Sequence, residues 1–167
     1  MAGRRLPVQP TLSMLGKVLS VTGAIELTAV HAIVPIAGAP DGRFDLAAMA
    51  KLFDFADPKT PRSVWLTLSV PARDAARLDP LPALVRARSM DRIDVAQIDD
   101  AQSPEHAPPY GMSWLLNPGE RSELTLRCLT PTWSIDAASW LVEDVIEALR
   151  ELGELGPVAI SATVGGY

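Results

Sequence analysis

The stretch from Met112 to Val164 constrains this chain most, because its apolar spacing changes period in a fixed succession: strand, turn, strand, helix, strand. Leu124, Leu126 and Cys128 alternate with Glu123, Thr125 and Arg127, as on a strand with one buried face. Met112, Trp114 and Leu116 give a matching stripe upstream. Between the two, Asn117-Pro118-Gly119-Glu120 suits a type II turn, since proline presets φ at its second position and glycine accepts positive φ at its third. Ser134 or Asp136 then caps a helix carrying Leu141, Val142, Val145, Ile146, Leu149 and Leu152 on its dry side. Glu143, Asp144, Glu147, Arg150 and Glu151 fall on its wet side, and Gly153 or Gly156 ends it. Val158, Ile160, Ala162 and Val164 form a last strand. Strand, crossover helix and strand make a βαβ unit, expected to be right-handed and parallel.

Upstream, Val64, Leu66, Leu68 and Val70 alternate with Trp65, Thr67 and Ser69, a second clear strand. Val18–Val21 and Ile25–Val34 are expected to pair as a hairpin around Thr22-Gly23. Asp45 caps a short helix with Leu46, Met49, Ala50 and Phe53, which gives a second βαβ unit from about Ile25 to Val70. Asp79-Pro80 opens a helix reaching about Arg88, Ile93–Ile98 is a shorter strand, and Asp99–Pro109 is a loop. Residues 1–11, with Pro7 and Pro10, read as an extended arm, which leaves 12–167 as a single α+β domain. The expected fold is a two-layer sandwich of a mixed sheet with helices on one face. It is ferredoxin-like through its two βαβ units, with an added hairpin and short helix.

The 167 residues carry a formal net charge of −5, and the arginines and lysines are scattered, which excludes a phosphate-backbone binder. Lys17, Glu26 and His31 interrupt the apolar run from Leu12 to Ile36, so no segment there reaches the length of a membrane span. A soluble cytoplasmic protein is expected, and the Ala, Arg and Pro usage is that of a GC-rich bacterial genome. A lone cysteine, Cys128, forms no internal disulfide and sits on an inward stripe as a small core hydrophobe.

Residues that could carry chemistry are sparse. Asp91, Asp94, Asp99, Asp100 and Glu105 cluster in sequence without the ligand spacing of a calcium loop, and read as solvated charges. His106 stands in a proline-flanked loop beside Glu105, while His31 falls among apolar strand residues; neither belongs to a nucleophile motif. No phosphate-binding or dinucleotide-binding glycine motif is present. No catalytic residue, metal site or cofactor is therefore expected, and the chain leans away from being an enzyme.

The strand faces opposite the helices carry the functional expectation. The alternation places Trp65, Thr67 and Ser69, Thr125 and Leu129, Ala159, Ser161 and Thr163, and Val30, Ala32 and Val34 on that side, with Glu26 and Arg127 its only charges. A wet sheet face ordinarily takes Lys, Glu, Arg and Gln. Covering several hundred Å² of such surface is worth roughly 10 kcal/mol before association costs. The mean hydropathy of +0.16 points the same way. The chain is expected to be a non-enzymatic assembly subunit that forms a homo-oligomer or binds a protein partner through Trp65, Thr67, Thr125, Leu129, Val30 and Val34. The alternative is a small α+β enzyme or ligand binder with a pocket between sheet and helices, using His31 or His106.

Overall fold

The alternating run Val64–Val70 becomes the centre of the sheet, with partners on both sides. The computed structural model describes residues 8–21, 26–36, 61–97, 120–153 and 156–165. In chain order these form α1 (Val8–Ser20), β1 (Ala29–Val34), β2 (Arg62–Pro71), a 3-10 helix (Ala72–Leu78), α2 (Leu81–Arg88), β3 (Asp94–Gln97), β4 (Arg121–Thr130), α3 (Ile135–Glu151) and β5 (Val158–Val164). The fold is α+β, with one open five-stranded sheet in the order β1-β5-β2-β4-β3.

Every neighbouring pair of strands is antiparallel, which corrects the expected mixed sheet with parallel βαβ neighbours. β4 and β5 do run the same way, as a crossover helix requires, but β2 lies between them. β1 and β2 are likewise separated by β5, and β2 and β3 by β4. A crossover returns the chain to the same end of the sheet and so sets direction. It leaves open whether another strand occupies the intervening slot, and here one always does.

One face of the sheet is dry. Val64, Leu66, Leu68 and Val70 of β2, Leu126 and Cys128 of β4, and Val158, Ile160 and Ala162 of β5 join Leu141, Val142, Val145 and Leu149 of α3 in one core. Each fully buried aliphatic side chain contributes about 1.5–3 kcal/mol relative to exposure. α3 begins at Ser134, whose Oγ accepts from the Ala137 N–H at 3.2 Å; of the two caps the sequence offered, this is the one used. Asp136 instead accepts from the Ser13 hydroxyl at 2.6 Å and ties α3 to α1. The helix ends before Gly153, whose φ of +100° is a conformation glycine takes without steric cost.

Three sets of expectations need correction. First, Val8–Thr11, expected in an extended arm, and Val18–Ser20, expected in a hairpin strand, both lie in helix α1, and β1 pairs with β5. Four residues of apparent alternation cannot be told from a helical stripe, and the longer series Leu12, Gly16, Leu19 gives α1 a half-buried side at helical spacing. A Cβ on Gly16 would collide with Ile135, so glycine permits this close approach to α3. Second, α2 begins after the Asp79-Pro80 turn with no side-chain cap, and a 3-10 helix precedes it. Third, the polar side of α3 is wet only in part: Asp144 and Glu147 are each 1% exposed, Glu143 and Arg150 are half-buried, and Glu151 is exposed. The strand Met112–Leu116, the 117–119 turn, the Asp45 helix and the 99–109 loop lie outside the described residues.

Candidate functional site

Register decides which side chains share the outer face. His31 of β1, Ser161 of β5, Thr67 of β2 and Thr125 of β4 stand in one row across four strands. On one side runs Ala29, Thr163, Trp65, Arg127 and Ala96, and on the other Ile33, Ala159, Ser69 and Glu123. Ser63, Leu129 and Asp94 complete the face toward β3. The alternation places Ala159, Ser161 and Ser69 on this face too, but all three are buried, while Trp65, Thr67, Thr125 and Leu129 are half-buried.

Of the residues expected to meet on this face, the structure brings together Trp65, Thr67, Thr125 and Leu129. It sends Val30 and Val34 to the opposite side. Val30 pairs with Ala162 and Val34 with Val158, so both point into the core, 7% and 8% exposed. A strand's side chains alternate strictly, and a shift of one residue exchanges its two faces. Ala29, His31 and Ile33 take the outer positions instead. The sequence held one sign of this: His31 is the only polar side chain in β1, and it belongs to that set.

Polar groups tie down the edges of the face. His31 Nδ1 shares a hydrogen bond with the Ser161 hydroxyl. Arg121 closes one end by donating from Nε to Ser69 Oγ at 2.9 Å, from Nη2 to the Ser69 carbonyl, and from Nη2 to the Pro157 carbonyl at 3.0 Å. Arg127 Nε donates to Ser63 Oγ at 3.1 Å. Among the outward positions of β1, β5 and β2, His31 is the one ionisable residue; Arg127, Glu123 and Asp94 stand on β4 and β3, and the Arg121 side chain reaches from β4 across to Ser69 and Pro157. A further apolar strip, Met14, Leu15 and Val18, is exposed on α1.

A second polar cluster lies between α2 and α3. Arg88 Nε donates to Asp144 Oδ1 at 3.0 Å, and its Nη1 donates to Glu151 Oε1. Arg150 Nη1 donates to Glu147 Oε1. Asp144 Oδ2 is buried and makes no hydrogen bond among the described residues. Burial pushes the Asp144 carboxyl up to about 7; Arg88 opposes this, while Glu151 and Glu147 add to it. This carboxyl is shut in rather than presented to a substrate, and its arginine partner is shared with Glu151. Nothing in the sequence marked it, because the same residues on a solvated helix face would look identical.

Two of the remaining candidates, Cys128 and Asp94, are inaccessible or already paired. Cys128 is buried, and burial, then Asp94, raises its thiol to about 12, far from a reactive thiolate. Asp94 is engaged by Arg86 at 3.0 Å. No group of three potential metal ligands occurs among the described residues. His106, Asp99, Asp100 and Glu105 lie outside the described residues. No helix among the described residues is long and apolar enough to cross a membrane. In comparisons with protein-family models, curated proteins and solved structures, nothing matches this chain.

Proposed function

We propose that this chain is a non-enzymatic assembly subunit that associates through the outer face of its sheet, around Trp65, Thr67, Thr125 and Leu129. The observation that supports it is the distribution of charge on that face: the outward positions of three adjacent strands hold Ala, Ile, Thr, Ser and Trp, with His31 the one ionisable residue among them, where a solvated sheet takes charged side chains. Removing Val30 and Val34 shrinks the apolar area, and Ala29 and Ile33 restore part of it. We also read the run β2–α2–β3–β4–α3–β5, with its strands ordered β5-β2-β4-β3 and split by intervening strands, as a ferredoxin-like unit with β1 added at one edge. On that reading the helices share one layer, and the outer face is the free side.

The His31–Ser161 hydrogen bond, with Thr67 next in the row, favours a second reading: a binder of a small polar ligand on the same face. A pocket between sheet and helices is less well supported, because Leu66, Leu126, Leu141, Leu149 and Ile160 fill that space. Thr67→Lys separates the two roles. It places a charge in the central row of a half-buried surface and is expected to weaken self-association or partner binding in sedimentation experiments, with a melting temperature that no longer rises with protein concentration. A wild-type chain that sediments as a monomer at every concentration, and whose thermal stability responds to metabolites but not to protein concentration, would replace the assembly reading with the ligand reading.

A further inference from the structure

The two outer strands of the sheet are finished differently. At the β3 edge, Arg86 Nη2 donates to the Val95 carbonyl at 2.6 Å and to Asp94 Oδ1 at 3.0 Å, so a charged side chain occupies the line along which another strand would add. β1, with the sequence Ala-Val-His-Ala-Ile-Val, carries no formally charged residue, and among the described residues no side chain caps its outer line. Its main-chain groups can be sorted by direction. The Val164 N–H donates to the Thr28 carbonyl at 3.0 Å, which makes Thr28 and Val164 a hydrogen-bonded pair in the β1–β5 register. Hydrogen-bonded pairs recur at every second residue of an antiparallel ladder. Val30, Ala32 and Val34 therefore bond to β5, while Ala29, His31 and Ile33 turn their N–H and C=O groups away from the sheet.

We infer that a second copy of this chain adds to that edge, β1 against β1 and antiparallel, about a two-fold axis at His31. The pairing is self-complementary: His31 meets its own counterpart, and Ala29 meets the counterpart of Ile33 on both sides of the axis. The three outward N–H groups of each copy then find the three outward carbonyls of the other. Two five-stranded sheets become one, and the two outer faces join at their β1 borders, the part without formal charge, into a single platform. This deepens the proposed function, on which it rests for the claim that the chain assembles, by naming the partner and the geometry. Antiparallel β1 pairing also brings the side chains of Ala29, His31 and Ile33 from both copies onto the same outer surface, continuous with Ser161 and Trp65.

Cysteine cross-linking tests the geometry. In a hydrogen-bonded antiparallel pair the Cα atoms are about 5.5 Å apart, within disulfide reach. His31→Cys is expected to form a disulfide-linked dimer under mild oxidation, and Thr67→Cys, several strand spacings from the axis, is not. Ile33→Lys, which places a charge on the edge, is expected to weaken dimerisation by at least about tenfold, or 1.4 kcal/mol. In the wild type, the His31 and Ile33 amide protons are expected to exchange slowly when the protein is concentrated and fast when it is dilute, a readout that requires no variant to fold. Cross-linking of the Thr67→Cys variant but not of the His31→Cys variant would overturn the edge pairing and leave association through the face standing. A wild type that stays monomeric, with both amides exchanging fast at all concentrations, would overturn the edge pairing and self-association together.

Discussion

Asp144→Asn asks whether a carboxyl closed between two helices governs how stability depends on pH. The Asp144 side chain is 1% exposed, and burial raises its carboxyl from the ordinary 3.8 to about 7. Between those two values the folded protein holds a proton that the unfolded chain releases. The stabilisation from this group is thus fully present below about pH 4 and is lost as pH rises through 7. Three pH units at 1.36 kcal/mol per unit amount to about 4 kcal/mol. Asparagine keeps an oxygen for the Arg88 Nε–H and removes the titration. Acids remote from Asp144 contribute alike to both proteins and cancel in the comparison. Urea unfolding at a series of pH values, followed by tryptophan fluorescence, gives the stability of each protein. The wild type is expected to lose about 4 kcal/mol relative to the variant between pH 4 and pH 8. A difference that stays constant to within about 1 kcal/mol across that range would refute the claim that Asp144 holds its proton in the folded state.

Three further outcomes follow from the geometry. Adjacent substitutions on β1 should differ sharply: Val34→Asp buries an unpaired charge and is expected to cost about 3 kcal/mol or more, whereas Ile33→Asp, at a position 37% exposed, should change stability by no more than about 0.5 kcal/mol in dilute chemical denaturation. Ser134→Ala removes the oxygen that receives the Ala137 N–H and is expected to lower stability by about 1 kcal/mol, with Ser134→Asp restoring most of the loss by the same measurement. Cys128 should resist thiol reagents in native buffer at neutral pH and react fully once the protein is unfolded; rapid labelling of native protein would show that β4 opens locally.

The strands β2, β4 and β5 and the helix α3 were legible because each has an apolar stripe of the right period over seven or more residues, long enough to distinguish a pleat from a coil. β1 is six residues long and apolar on both sides except for His31, so its alternation did not reveal which set faces the core. Two of the six expected interface residues, Val30 and Val34, were misplaced for that reason. The buried partners of Asp144 and Glu147 were not legible either. A helix pattern shows which side is charged, but Arg88 arrives from a segment 56 residues earlier in the chain to meet Asp144.

By itself the amino-acid order determined the periodicities, the dry face of the central strands and the ends of α3 to within a few residues, at Ser134 or Asp136 and at Gly153 or Gly156. Those are properties of neighbouring residues, settled by backbone sterics and by which side chains avoid water. Only the tertiary structure decided that a strand slips between each pair joined by a crossover, which side of β1 is wet, and that a carboxylate on the polar side of α3 is sealed beneath Arg88. Such outcomes depend on contacts between residues far apart in the chain, where pairing register and the closing of loops select one arrangement among several with the same local pattern.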